Sequence, residues 1–498
     1  MFTKQEQRSW LKIQCALGRT ARQYHEDLVE TCGETVLPYR TVARCIRAFN
    51  EGRESKADVA QPQVALVSVT MSAVCSSWWE TFSMSTAIGH IRQLMCLTWS
   101  QATKRNIEGG GFGPVLWIEF GVAQWSERLV RRTKDPDLTV QLASPEQLQP
   151  KPEVTDLQFG KNFTDHMLKI LYHESLGGWQ RPEIVPFENI VLHPAAKVLH
   201  YATELFEGMK AYRGVDGKIR IFRPDMNMER MNRSALRAGL PTFDGEQLIK
   251  CLCRLISIDQ EWVPHSESSS LYIRPTLIGI DPSLGVAACG SAMLYTILCP
   301  VGSYFSGTGE NPVSLLADPR FIRAWPGGCG DKKMGSNYAP TIQVQQEAQG
   351  RGLQQVLWLY GEENLITEVG TMNIFMVFIN DRGEKELVTP PLDGLILPGI
   401  TRASILHLSR EWNEFPVSER RISMAEVINL LGQNRLLELF GAGTACVVSP
   451  VASIMYNGEN LQIPTVKQEY PLYARLRKTL TDIQYGYVPH PWAVPIDP

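Results

Sequence analysis

The segment Gly327-Gly328-Cys329-Gly330-Asp331-Lys332-Lys333-Met334-Gly335-Ser336-Asn337-Tyr338 decides how this chain is read. It lacks the G-x-x-x-x-G-K-[ST] spacing of a P-loop, and no G-x-G-x-x-G opens a helix in it, so neither nucleotide fingerprint is present. What remains is a lysine in a backbone-permissive loop flanked by small residues. Such a lysine can approach a carbonyl and form a Schiff base once desolvation or a neighbouring cation lowers its pKa. Taken alone the pattern is weak, because lysines almost always sit at the surface.

Working outward, two segments have the chemistry of anion cradles. In Leu397-Pro398-Gly399-Ile400-Thr401-Arg402 a Pro and a Gly precede the apolar-periodic run from Ala403 to Leu408, which predicts a helix whose free N–H groups face an anion. Gly441-Ala442-Gly443-Thr444-Ala445 predicts a tight turn offering backbone donors and one hydroxyl. Glu368 stands just before the apolar run MNIFMVFI at 372–379, where an acid needs a partner to tolerate burial. In SLYIRPTLIGI at 270–280, strand alternation puts Tyr272, Arg274 and Thr276 on one face, opposite Leu271 and Ile273. A Tyr and an Arg side by side make a wall that recognises carboxylates, and a solvent-facing edge strand is the alternative.

At 498 residues the chain has room for about three domains. Its 49 Lys plus Arg against 52 Asp plus Glu give a net charge of −3, so no global field draws it to phosphate backbones or anionic membranes. The eleven cysteines are odd in number and scattered, unlike a secreted disulfide framework. Cys251 and Cys253, the one close pair, have no partner pair or histidines nearby, so no metal site is expected and the pair fits the buried face of a helix or strand. The apolar run from Val64 to Trp79 is shorter than the roughly 20 residues a membrane helix needs. No signal peptide is read at the start, and a cytosolic protein is the default, with mitochondrial as the alternative.

Three textures follow one another. Residues 1–55 carry helical spacing, with Arg40, Arg44, Arg47 and Arg53 along the last stretch, which predicts a small helix-turn-helix-like, all-α extension. Residues 56–133 lack steady periodicity and read as a linker or insertion. From about Lys134 onward strand and helix signals alternate to the end, predicting an α/β or α+β enzyme. The stretch 18–53, GRTARQYHEDLVETCGETVLPYRTVARCIRAFNEGR, resembles the N-terminal helix-turn-helix of mariner-type transposases. No acidic triad of a transposase follows it, so DNA cleavage is not implied.

Beyond residue 137 the motifs HYATELFEGMKAY, IFRPDMNMERMNRSALR, SLYIRPTLIGIDPSLGV, ILCPVGSYF, ADPRFIRAWPGG, KMGSNYAPT, LITEVGTMNIF, TPPLDGLILPGITR and FGAGTACVVSPV occur in order. The set resembles branched-chain amino acid aminotransferases to the C-terminal end, with details such as TDIQYG closer to the cytosolic than the mitochondrial vertebrate form. The resemblance implies a fold-type IV, pyridoxal-phosphate-dependent enzyme with a small domain, here 134–301, and a large domain, 302–498, acting as a homodimer. It implies Lys333, not Lys332, as the Schiff-base lysine. Cofactor contacts fall to Arg230, Tyr338, Glu368, Thr371, Ile400, Thr401 and Thr444. The substrate pocket falls to Phe159, Tyr201, Phe206, Tyr272, Arg274, Tyr304, Thr371 and Ala445, with Val286 reaching across the dimer interface.

The implied reaction moves the amine of Leu, Ile or Val to 2-oxoglutarate, giving glutamate, by a ping-pong mechanism. Departures from the family pattern are Lys332, where an uncharged residue is usual, and Cys446-Val447-Val448-Ser449, which lacks the second thiol of a redox Cys-x-x-Cys. The alternatives are another fold-type IV enzyme, such as a D-amino acid aminotransferase or aminodeoxychorismate lyase, and a DNA-binding protein with a silent enzyme domain. DNA binding is the lesser reading, since charge runs usually only solvate a surface.

Overall fold

The computed structural model describes residues 29, 39–43, 137–302 and 311–496. The chain divides into Met1–Trp117 and Ile118–Pro498, and every described strand lies in the second unit. The expected helix-turn-helix and linker fall outside the described residues, apart from a helical stretch at 39–43.

Two sheets organise the second unit. The first takes β1 (Thr139–Val140), β2 (His166–His173), β3 (Gly178–Trp179), β4 (Glu183–Pro186), β5 (Glu204–Phe206), β6 (Met209–Arg213), β7 (Ile219–Phe222), β8 (Ser270–Gly279) and β9 (Ser291–Val301). Their order across the sheet is β1-β4-β2-β9-β8-β6-β7, with β3 on β2 and β5 on β8. Strand β8 pairs along its length with β9 and also with β6, so the edge-strand alternative is excluded. Its alternation is as read: Leu271 and Ile273 are fully buried in the core, while Tyr272, Arg274 and Thr276 share the other face.

The core face is covered by two helices. Helix α1 (Lys197–Tyr201) is short, whereas α2 (Pro224–Ala238) and α3 (Gly245–Ile258) span the sheet. Helix α2 opens on Pro224 at its first turn and closes on Gly239 in the left-handed region, φ 65°, the usual asymmetry of a helix with defined ends. Helix α3 is capped by the Asp244 side chain, which accepts from the Gln247 N–H at 3.2 Å. Its Leu248, Cys251, Leu252, Leu255 and Ile256 form one apolar stripe packed on the sheet, each large side chain contributing about 1.5–3 kcal/mol of transfer free energy. Cys251 is on that buried stripe, as read, and Cys253 is only half buried.

The second sheet closes on itself. Its strands are β10 (Val313–Ala317), β11 (Gln355–Tyr360), β12 (Leu365–Val369), β13 (Met372–Ile379), β14 (Lys385–Thr389), β15 (Val417–Glu419), β16 (Leu436–Gly443), β17 (Val447–Tyr456) and β18 (Glu459–Gln462). The path β12-β11-β10-β17-β16-β13 returns to β12 through a β12–β13 pairing, which makes a barrel and removes the sheet edge there. Side-chain alternation fills both surfaces of β13. Ile374, Met376 and Phe378 point into the barrel, and Phe375 and Val377 point outward, which is why this strand is an unbroken apolar run.

Helices α4 (Thr341–Gly350), α5 (Ile400–Trp412), α6 (Met424–Gly432) and α7 (Leu472–Gln484) accompany the barrel. Leu406 and Leu408 of α5 and Leu476 and Leu480 of α7 cover the outer side chains of β13 and β16. After α7 the chain returns to the first sheet, where Ala493–Pro495 pairs antiparallel with β7. The first sheet therefore takes one strand from beyond residue 302, and Tyr485 ties the same region by donating from its hydroxyl to the Ser269 carbonyl at 2.8 Å.

Candidate active site

The loop carrying Lys333 is held between the two sheets by backbone and helix contacts. Leu205 of β5 bridges to Met334, the Phe206 N–H donates to the Lys333 carbonyl at 3.1 Å, and the Lys333 N–H donates to Ser234 Oγ of α2 at 3.0 Å. Asn337 donates its side-chain amide to the carbonyls of Cys329 and Lys332 at 2.7 and 2.8 Å, closing the loop on itself. So fixed, Lys333 Nζ lies 3.2 Å from the Tyr338 hydroxyl and 4.9 Å from the centre of the Phe206 ring. Lys332 differs in kind: its ammonium pairs with Asp331.

The residues expected to wall the substrate pocket continue from this point. The Phe206 and Tyr338 rings are 5.0 Å apart, and the Arg274 guanidinium lies over Phe206 at 4.7 Å. Arg274 Nη2 donates to the Tyr272 hydroxyl at 3.1 Å, and Tyr272 meets Phe159 edge-on at 4.9 Å. Gly208 beside them has no room for a side chain, since a Cβ there would collide with the Tyr272 hydroxyl. Tyr201 stands apart, donating its hydroxyl to the Leu284 carbonyl of the loop that exposes Val286. Tyr304 lies outside the described residues.

On the side of the barrel, α5 begins as read: Gly399 is its N-cap and Ile400 and Thr401 form its buried first turn. A Cβ at Gly399 would strike Asn373 Oδ1, so the close packing of this turn depends on glycine. Ile400, Thr401 and Thr444 share a small cavity with Asn227, Gly208 and Lys210. Gly441 to Gly443 belong to β16, and the turn covers 444–446, a shift from the tight turn expected at Gly441, because the glycines pack their strand against Met372 and Val369. Register between β13 and β16 pairs Asn373 with Ala442, which sets the exposed Thr371 turn beside this one.

Two buried acids hold the charges in place. Glu368 stands ahead of the apolar strand β13, as read, and itself lies inside β12, 2% exposed. It pairs with Arg323 at 3.1 Å and accepts the Leu397 N–H at 2.7 Å. Burial pushes its carboxyl up, opposed by Arg323, the Leu397 amide, Lys333 and Arg230. Arg230, on the buried face of α2, spends Nε and Nη2 on Glu207, both at 2.7 Å, and Nη1 on the Pro398 carbonyl at 3.0 Å. Burial opposes the ionised form of Glu207, yet Arg230, Lys333 and Asn227 together hold its carboxyl below the usual range.

Sequence reasoning missed Glu207 and Lys210. Each sits inside the quoted motif 200–212, but its significance is spatial: Arg230 is 23 residues from Glu207, and Lys210 donates to the Ala445 carbonyl at 2.7 Å across 235 residues. Desolvation brings the Lys210 ammonium down to about 8. Cys446 next to it is pushed up to about 12, chiefly by burial, and its sulfur lies 3.0 Å from Met372 Sδ. Ser449, where a second thiol is absent, keeps a buried hydroxyl with no partner.

These groups fit pyridoxal phosphate. The cavity offers an anion the first turn of a 13-residue helix and two threonine hydroxyls; a buried carboxylate and a lysine–tyrosine pair lie at the neighbouring positions. An aminotransfer centre built on a closed barrel and an open sheet is thereby defined. The chain belongs to the amino-transferase class IV family, whose sequence model matches residues 204–454, and within it to the branched-chain-amino-acid aminotransferases. It is 58% identical over 347 residues to the cytosolic branched-chain-amino-acid aminotransferase of Rattus norvegicus, covering 70% of this chain and 84% of that one. Against the mitochondrial enzyme of Mus musculus it is 52% identical over 380 residues, covering 76% and 95%. The branched-chain aminotransferase of Thermoproteus uzoniensis, solved with norvaline, superposes with a TM-score of 0.54 at 26% identity, covering 67% of this chain and all of that one.

Proposed function

We propose that this chain is a pyridoxal-phosphate-dependent transaminase that moves the amine of leucine, isoleucine or valine to 2-oxoglutarate. The observation that carries the reading is Lys333, held at 3.2 Å from Tyr338 within one charge cluster with Glu368, Glu207 and Arg230. When bound, the cofactor supplies an electron sink for the electrons left when the α-proton departs. Lys333 Nζ would hold the cofactor, and as a free amine at this position it would act as the base that moves the proton at the substrate α-carbon. Tyr338 orients Nζ through their hydrogen bond. Glu368, its direction fixed by Arg323 and the Leu397 amide, would face the cofactor's ring nitrogen and keep a proton there. Arg230, Thr444 and the N–H groups of Ile400 and Thr401 would hold its phosphate. Thr371 and Ala445 receive the substrate α-carboxylate.

The side-chain pocket is the aromatic wall of Phe159, Phe206 and Tyr272 completed by Tyr201 and Tyr304, with Arg274 available to the second carboxylate of 2-oxoglutarate and glutamate. A homodimer is supported by the exposure of Leu284 (63%) and Val286 (83%) on one loop, an apolar tip suited to a partner's surface. The working division is 134–301 and 302–498, with the 1–55 segment keeping its helix-turn-helix-like reading and a cytosolic location favoured by relatives of that name. No helix among the described residues is long and apolar enough to cross a membrane. The test is transamination from leucine to 2-oxoglutarate followed as glutamate, with Lys333→Ala expected to abolish it. Robust turnover by that variant overturns the reading.

A further inference from the structure

The pocket proposed above must accept both an apolar branched chain and a carboxylate, and a bare guanidinium in its wall serves only the second. Arg274 has one hydrogen bond, to the Tyr272 hydroxyl, and its buried Nε has none. Among the described residues no carboxylate stands within ion-pair distance of it. One acid shares its surroundings. Strand β5 pairs Glu204 with Ile278 and Phe206 with Thr276, and β9 pairs Tyr295 with Thr276. Glu204, Phe206, Arg274, Thr276 and Tyr295 therefore share one face of the sheet. The Arg274 guanidinium lies on the Phe206 ring at 4.7 Å, which directs it along β5. The other side of Glu204 is closed, since a Cβ on Gly335, two residues from Lys333, would meet its carboxylate.

We infer that Glu204 is a specificity-determining, positioning residue that balances Arg274 while an apolar side chain fills the pocket and yields it when a dicarboxylate binds. This rests on the reading that Arg274 receives the second carboxylate. The Glu204 carboxylate and that of 2-oxoglutarate compete for one cation, so an ionised Glu204 weakens dicarboxylate binding and stabilises the complex with leucine. Burial lifts the Glu204 carboxyl above its ordinary range, with Arg274 opposing. The charged or titratable groups facing it are Arg274 from β8 and Tyr295 from β9. As pH rises through the lifted pKa the carboxylate forms, and the KM for 2-oxoglutarate rises with it.

The holoenzyme of Glu204→Gln is compared with wild type in steady-state assays from about pH 5, just above the ordinary carboxylate range, up to pH 8, short of the titration of Lys210, varying leucine and 2-oxoglutarate separately. The KM for 2-oxoglutarate is expected to fall roughly three- to tenfold at pH 8, while the KM for leucine stays constant or rises. The pH dependence of the dicarboxylate KM flattens in Glu204→Gln and persists in Glu204→Asp. Equal changes in both KM values, or none, overturn the proposal, as does an unchanged pH profile. Arg274→Met separates the two layers. If it leaves the 2-oxoglutarate KM unchanged, the underlying role of Arg274 falls; if it raises that KM while Glu204→Gln does nothing, only the role of Glu204 falls.

Discussion

Removing Glu207 tests how the buried charges of the site are held. In Glu207→Ala the Arg230 guanidinium, 4% exposed, loses both 2.7 Å contacts and keeps only the Pro398 carbonyl. Breaking a buried pair from one side costs about 3–5 kcal/mol, because the remaining charge is left uncompensated. For a cooperative unit of roughly 360 residues with an unfolding entropy near 2 cal/mol/K per residue, that corresponds to a fall in Tm of about 5 °C. The loss should be larger in enzyme stripped of cofactor than in enzyme saturated with pyridoxal phosphate, since a phosphate bound at Arg230 as proposed would supply the missing negative charge and ligand binding adds to stability. Because the folded-state pKa of Glu207 is depressed, its contribution is present above the unfolded carboxylate pKa and disappears as pH falls through the lower folded value. Thermal scans of wild type, Glu207→Ala and Glu207→Gln, with and without cofactor, measure all of this. A Tm within 1 °C of wild type, or equal losses with and without cofactor, would mean that Glu207 does not compensate the Arg230 charge.

Other expectations are equally direct. Lys210→Met should raise the KM of leucine and of 2-oxoglutarate by similar factors, because both carry the α-carboxylate proposed to sit at the Ala445 turn that Lys210 holds. The wild-type rise of KM above about pH 8, where the Lys210 ammonium loses its proton, should vanish in that variant. Gly399→Ala should weaken cofactor retention on dialysis, as the new methyl displaces Asn373 and with it the first turn of α5. Oxidant should leave activity unaffected at the position of Cys446, whose thiol is held at about 12, whereas Ser449→Cys should confer an oxidant-sensitive loss that a dithiol reverses.

The strands were legible where one face meets the core. The alternation of Leu271, Tyr272, Ile273 and Arg274 follows from period-two geometry, and the structure keeps it in a central strand. The start of α5 was legible from Pro398 and Gly399, which fix a helix entry locally. What escaped depends on contacts between distant residues. Nothing local to Glu207 announces Arg230, and nothing near Lys210 announces Ala445. The return of Ala493–Pro495 to the first sheet is of the same kind, a pairing across some 270 residues with β7. Gly441 to Gly443 were misread because glycine serves both turns and tightly packed strands, and only the neighbouring Met372 and Val369 decide between them.

The covalent bond to the cofactor is proposed for Lys333, which faces Tyr338, while Lys332 is paired with Asp331. Borohydride reduction of the holoenzyme followed by peptide mass mapping reads that bond directly. The pyridoxyl adduct is expected on Lys333 alone; an adduct on Lys332, or none on either lysine, rules out Lys333 as the cofactor's anchor.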